Sequence, residues 1–396
     1  MVVKVGGYPL TVIPVAIAVF LLSGFRASVR INALYWLGGG GVWPFVVYVL
    51  YGVAGGSADL IEFARTYALW CYATLAMTIA TLSPMKINRD YSPEFRVVLI
   101  AIIIFSLAQV TMKMAANSEL LYNPFGEHTY MGAYKVERFA GEGFARAPGF
   151  YLEPSFCAFM LFFLVSAVLI RVRQKGAGSW FLLGLLGTAI VGSATGLLAM
   201  AVLGMTMAVT HARKRATRIL LSVVLFTVVV FASSIILYSR LNEVGVEGTS
   251  GYWRLIAPLI ILSKVFAEYP FGVPFGQIEA FLLPLGLQHG DTVGSSIDNG
   301  VYFLAFYFGW FAVPLPIFLA YKYLKKIIDG DSAGAIYWWF VLFSLQFSGG
   351  ILLPEYIFPL ILITFQYRGL TYKKRVDLVA LRYSSRASSP ILMGGK

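Results

Sequence analysis

Charge is scarce in this chain. Only 13% of its 396 residues are Asp, Glu, Lys or Arg, where a soluble globular domain carries about 25%, so an ordinary soluble enzyme is excluded. Cysteine is nearly absent. Cys71 and Cys157 each sit inside an apolar run, which rules out a disulfide framework and says nothing of redox compartment. The three histidines, His128, His211 and His289, are far apart. There is no GxxxxGK(S/T) loop, no HExxH pair and no clustered Cys/His set, which disfavours nucleotide hydrolysis and a transition-metal centre. No cleavable signal peptide is expected, because Met1 to Gly7 carries one Lys and no clean small-residue cleavage site follows the next apolar run. An internal repeat of convincing quality is also missing, which counts against an inverted-repeat transporter.

What the chain has is apolar sequence, 59% of all residues. Crossing a bilayer takes ~20 helical residues. Hydropathy places spans at 8–25, 32–52, 62–83, 96–114, 150–170, 178–192, 195–210, 218–238, 300–321, 334–348 and 352–367. This predicts an all-α polytopic membrane protein of about eleven transmembrane helices, within a range of ten to twelve, in one integral membrane domain over 1–380. The stretch 178–210 is long for one span and short for two. Arg171, Arg173 and Lys175 precede it and Arg213, Lys214, Arg215 and Arg218 follow it, so the chain should leave and return to one face as two short helices.

The formal charge of +12 would suggest nucleic acid in a soluble protein. Here the cations have another distribution: 22 of the 31 Lys and Arg fall on alternate connectors, whereas 14 of the 19 acidic residues lie at or beyond the opposite face. The positive-inside rule then puts the amino terminus outside and the carboxyl terminus inside, and removes nucleic acid as a partner. Only two connectors are long, 115–149 and 239–299, and both lie on the outer side, where function is expected. Within the second, Tyr252 to Val265 reads as an amphipathic helix on the membrane surface or capping a cavity. The Ser- and Gly-rich tail, 381–396, is expected to be a disordered cytoplasmic segment.

Ionisable groups near membrane depth are costly and point to function when they face a wet cavity or each other. Arg146 and Glu153 flank one span, with Pro154 placed to open a helix; the pair reads either as a phosphate ligand with a carboxylate at a cavity mouth, or as an interfacial arginine with a helix cap. Arg254 begins the amphipathic segment, where its fork suits a diphosphate; the simpler reading is a snorkelling anchor. Asp298 stands just before a span as a base, an orienter, or part of an Asp-Asn cap. Arg240 closes a span as a second phosphate ligand or a boundary charge. Glu355 needs a partner or starts a helix, and Ser193 to Gly196 marks a helix break or close helix packing. His289 is a candidate base or a solvated loop residue.

The segments Tyr151-Leu-Glu-Pro-Ser-Phe, Gly192-Ser-Ala-Thr-Gly, Ser239-Arg-Leu, Tyr252-Trp-Arg-Leu-Ile-Ala-Pro-Leu, Ile297-Asp-Asn-Gly-Val-Tyr and Leu353-Pro-Glu-Tyr occur in this order over residues 130–365. As a series they resemble the Wzy-type polysaccharide polymerases, most of all the colanic acid polymerase branch. The wider family includes the O-antigen ligases, which share an arginine followed by a Pro-hydrophobic-Gly stretch, here Arg254 and Pro270 to Gly276. Ligases place a histidine before the asparagine that opens the next span; this chain has Asp298 before Asn299.

The resemblance implies a GT-C-like architecture in the bacterial inner membrane and a metal-independent glycosyltransferase without cofactor. Such enzymes transfer a growing glycan from undecaprenyl diphosphate onto the non-reducing end of a new lipid-linked repeat unit at the periplasmic face. It implies that Arg254, with Arg146 or Arg240, steadies the departing diphosphate. Glu153 or Asp298 takes the acceptor proton, and Tyr252, Asn299, Tyr302 and Glu355 join the substrate contacts. The expected partners are undecaprenyl-diphosphate-linked oligosaccharide, membrane lipids, a flippase and chain-length or export proteins. The competing readings are an O-antigen-type ligase, a flippase or exporter of lipid-linked oligosaccharide, and a non-catalytic scaffold of the export machinery.

Overall fold

The structure is a computed structural model. It describes residues 2–5, 8–11, 31–82, 90–116, 121, 147, 149–151, 154–172, 174–212, 216–217, 220, 227, 252, 256–286, 288–289, 292–293, 297, 299–347, 351–352 and 356–371. Among the described residues two short antiparallel hairpins accompany the helices. The first pairs β1 (Val2–Val5) with β2 (Tyr8–Thr11). Residues 8–11 therefore do not begin a helical span as hydropathy suggested; Val2, Val3, Val5 and Thr11 are β-branched and favour extended backbone.

The helices are α1 (Ile31–Val53), α2 (Leu60–Leu82), α3 (Ser92–Ala116), α4 (Pro154–Arg171), α5 (Gln174–Val191), α6 (Ala194–His211), α7 (Ala257–Glu268), α8 (Ile278–Leu282), α9 (Gly300–Phe308), α10 (Pro314–Ile328), α11 (Ser332–Ser344) and α12 (356–371). Among the described residues three helices, α3, α4 and α6, are long and apolar enough to cross a membrane, and α9 with α10 makes a fourth if that bent pair is one span.

Helix α4 is the axis of the molecule. It is apolar around its whole circumference and almost wholly buried, packed against α3, α5, α6 and α11. Rings fill its contact with α11 and its surroundings: Phe162 meets Phe340 at 5.2 Å, and Phe159 lies 5.6 Å from Phe347 and 5.2 Å from Tyr356. Small residues bring the other neighbours close. A Cβ on Gly184 would stand 2.2 Å from Val165, and one on Gly196 would stand 2.7 Å from Ala158. Lipid gives little hydrophobic drive between helices, so close backbone approach is what holds them together.

The doubtful stretch 178–210 resolves into two helices. Gly192 turns with φ 70°, and Ser193 caps α6 by accepting the Gly196 N–H. The stretch 300–321 is corrected. It is not one straight span, because α9 and α10 meet at 99°. The break is at Gly309, with φ 54°, whose α-carbon lies against Pro270: the Trp310 N–H donates to the Pro270 carbonyl at 3.0 Å. Pro314 then opens α10 in a position where its missing N–H costs nothing.

One end of the bundle is tied by polar side chains. Arg171, closing α4, donates Nε to Gln366 Oε1 at 3.0 Å. Burial works against the Asp90 carboxylate, but hydrogen bonds from Ser92 and the charge of Arg171 outweigh it and hold that group below its ordinary range. Asp331 caps α11 through the Gly334 N–H and accepts Lys326 Nζ at 2.9 Å.

Gly309→Ala is expected to lower stability by roughly 2 kcal/mol from the left-handed backbone alone. The added Cβ would also meet the Pro270 carbonyl oxygen at 2.1 Å. The melting temperature in detergent reads this directly, and an unchanged value contradicts the tight bend.

Candidate functional site

Of the candidate residues, Arg146, Glu153, Arg240, Arg254, Asp298 and Glu355 lie outside the described residues, and so does most of the 218–238 span. Tyr252, Asn299 and Tyr302 lie within them. The three acidic candidates each precede a described helix start.

Glu153 is followed by Pro154, the first residue of α4, buried together with Ser155. Asp298 is followed by Asn299, which caps α9: its Oδ1 accepts the N–H groups of Val301 at 2.9 Å and Tyr302 at 3.4 Å. The cap is thus filled by Asn299, and capping α9 does not require Asp298. Asn299 Nδ2 also donates to Gln346 Oε1 at 2.7 Å, while the Gly300 N–H donates to the Leu345 carbonyl at 2.7 Å. Only glycine fits at position 300, since a Cβ there would stand 2.5 Å from Ile351. Glu355 is followed by Tyr356, at the start of α12, whose hydroxyl donates to Ser344 Oγ at 2.7 Å.

These contacts link up. Phe159 of α4 stacks on Tyr356, Tyr356 bonds Ser344, and the next two residues, Leu345 and Gln346, hold Gly300 and Asn299. The starts of α4, α9 and α12 are therefore joined around the end of α11. Tyr302 is half-buried beside this junction. Tyr252 is 5% exposed and belongs to the apolar core, its carbonyl accepting the Ile256 N–H.

The Pro270 to Gly276 segment makes the floor under α9. Val273 N–H donates to the Phe306 carbonyl at 2.9 Å. Gly272 (φ 101°) lies where a Cβ would meet the Tyr307 carbonyl at 2.2 Å, and Gly276 (φ 78°) where it would meet the Glu62 backbone at 2.4 Å. The repeated Pro-Phe-Gly spacing is thus a packing requirement. Just before it, burial raises the Tyr269 phenol above its ordinary range, with Tyr51 and Glu268 adding, so it stays a neutral donor. The amphipathic helix expected over Tyr252 to Val265 is found later in the chain, as α7, where Pro258 stands in the first turn and Leu259 and Ile260 are exposed on one side. His289 lies in a two-residue strand, β3 (Gln288–His289), paired with β4 (Thr292–Val293).

Two residues of the site were missed by sequence reasoning. Gln346 is one. The other is Gln109, fully buried in α3, which donates Nε2 to the carbonyls of Leu121 at 2.8 Å and Gly149 at 2.9 Å and accepts the Gly149 N–H at 2.9 Å. The available signal was a lone amide inside each apolar run, Leu107-Ala-Gln-Val and Ser344-Leu-Gln. Among the described residues no group of three or more His, Cys, Asp or Glu could hold a metal ion.

Residues 1–368 match the family described as WcaD colanic acid polymerase. The chain is 25% identical over 371 residues to the Escherichia coli (strain K12) protein named "Putative colanic acid polymerase", a match that covers 89% of this chain and 89% of the relative. No solved structure matches.

Removing the α9 cap with Asn299→Ala is expected to cost about 1 kcal/mol, and it also strands Gln346. Asn299→Ser, whose hydroxyl can accept from Val301, should recover most of that loss. Thermal unfolding of the two variants in detergent distinguishes them, and equal melting temperatures would contradict the cap.

Proposed function

Because the chain belongs to the WcaD colanic acid polymerase family, we propose that it joins lipid-linked oligosaccharide repeat units into an exopolysaccharide. In this reading the growing glycan sits on undecaprenyl diphosphate. A hydroxyl at the non-reducing end of the next lipid-linked unit attacks its anomeric carbon. The new C–O bond forms as the bond to the diphosphate breaks, and undecaprenyl diphosphate leaves with the bonding electrons. The acceptor proton passes to a carboxylate.

The observation that carries this reading is the junction of three helix starts around the end of α11. Each start is preceded in the sequence by one acidic residue, Glu153, Asp298 or Glu355. We assign the proton to Glu153 or Asp298, and Glu355 to orienting the sugar. The diphosphate needs fixed cations as charge develops on its oxygens, and Arg254 with Arg146 or Arg240 supplies them in a bidentate geometry that lysine lacks. Asn299 orders the start of α9 beside Asp298, and the half-buried Tyr302 next to it stands on the sugar-binding side. No step in this chemistry asks for a metal ion.

The protein then spans the inner membrane about eleven times, with its two long loops, 115–149 and 239–299, on the periplasmic side and its carboxyl terminus in the cytoplasm. The aromatics Trp310 and Phe311, 56% and 59% exposed, fit a lipid-facing surface.

The test is reconstitution with a defined lipid-linked repeat unit, read as a ladder of product sizes. Wild type is expected to give the ladder, and Arg254→Ala and Glu153→Gln to reduce it by about 100-fold or more while remaining folded in detergent. Full ladders from both variants would overturn the site. Unextended substrate with wild type would favour transport over polymerisation.

A further inference from the structure

We propose that Gln109 is a positioning residue: its buried side-chain amide closes the first long loop at both ends and sets where the chain re-enters α4 with Glu153. This rests on the polymerase reading for its consequence in catalysis, although the clamp itself stands on geometry.

Gln109 is 0% exposed, in the last third of α3. Each of its polar atoms is spent on loop backbone. Nε2 donates to Leu121, a few residues after α3 ends, and to Gly149, five residues before α4 begins; Oε1 accepts from the Gly149 N–H. The two bonds with Gly149 form a closed ring, as two facing residues do in an antiparallel strand pair. A side chain thus takes the part that a neighbouring strand's backbone plays in a sheet. No other type does this as well: a carboxylate offers no donor, and an alkyl chain offers neither donor nor acceptor.

The surroundings hold Gly149 in that place. Its φ is 64°, and a Cβ on it would meet Cys157 Sγ at 2.7 Å, so the chain passes directly over the first turn of α4. Ala147 is 0% exposed on one side of it, and on the other Phe150 stacks on Phe105 of α3 at 4.0 Å. Ser106, one turn before Gln109, faces the same Cys157. The loop therefore returns through a fixed gate between α3 and α4. Three residues separate Gly149 from Glu153 in the sequence and two separate it from Arg146, so in the polymerase reading both candidates are tethered closely to this clamp.

The test uses full-length protein reconstituted with a lipid-linked repeat unit, and compares Gln109→Leu and Gln109→Glu with wild type. Gln109→Leu keeps the volume and removes the bonds. It is expected to raise hydrogen exchange at the Gly149 amide at least about tenfold while exchange in α4 and α11 stays unchanged. It should also lower kcat at least about tenfold with KM within about twofold, the pattern of a misplaced reacting group. Gln109→Glu supplies a second readout. When protonated, its carboxyl can both donate to the Gly149 carbonyl and accept its N–H, and when ionised it cannot donate, so this variant should be more active than Gln109→Leu and lose that advantage wherever rising pH ionises it. Wild-type kcat in Gln109→Leu, or Gln109→Glu no more active than Gln109→Leu at any pH, overturns the positioning role. If wild type itself makes no ladder, the polymerase reading fails instead, and unchanged Gly149 exchange in Gln109→Leu then overturns the clamp by itself.

Discussion

A chain surrounded by hydrocarbon must satisfy its own backbone wherever a helix stops, because no water is there to do it. That constraint accounts for a set of the polar residues inside this molecule. Ser193 caps α6, Asn299 and Gln346 secure the start of α9, Asp331 caps α11, and Gln109 pairs with the loop backbone at Gly149. Where no side chain serves, the backbone folds on itself: Gly309 bends the chain so that Trp310 reaches Pro270. Helix breaks in such a protein are costly to build, and the residues proposed for chemistry stand beside them.

The interior shows a division of labour. Phenylalanines and small residues along α4 hold the helices together without direction, whereas the amides set register at its loop end. At the opposite end of α4 the ties are charged, with Arg171 against Gln366 and Asp90. Fixing both ends of the central helix leaves its start a rigid support, which suits a site that must hold reacting groups in place.

Much of the helical organisation was legible from hydropathy and charge. The doubled helix over 178–210 followed from basic residues on both sides of it, and its turn at Gly192 follows from that glycine's freedom at positive φ. The break of 300–321 was not legible, because it depends on Gly309 meeting Pro270, far back in the sequence, and single-sequence periodicity carries no such contact. The first hairpin was hidden for another reason: valines are apolar in a helix and a strand alike. For the site, Asn299 was recognised but its capping role was left open between two neighbours, and Gln109 was passed over because an amide carries no charge to draw attention. Arg146, Glu153, Arg240, Arg254, Asp298 and Glu355 remain proposals, drawn from the sequence and from the helix starts that three of them border.

In the proposed reaction two lipid-linked glycans meet at the joined starts of α4, α9 and α12. An electron cryo-microscopy map of the protein with a lipid-linked repeat unit bound tests this most directly. Density for the diphosphate between those three starts, within reach of Arg254 and Arg146, is the expected result. Density at the far end of α4, beside Arg171 and Gln366, would contradict it.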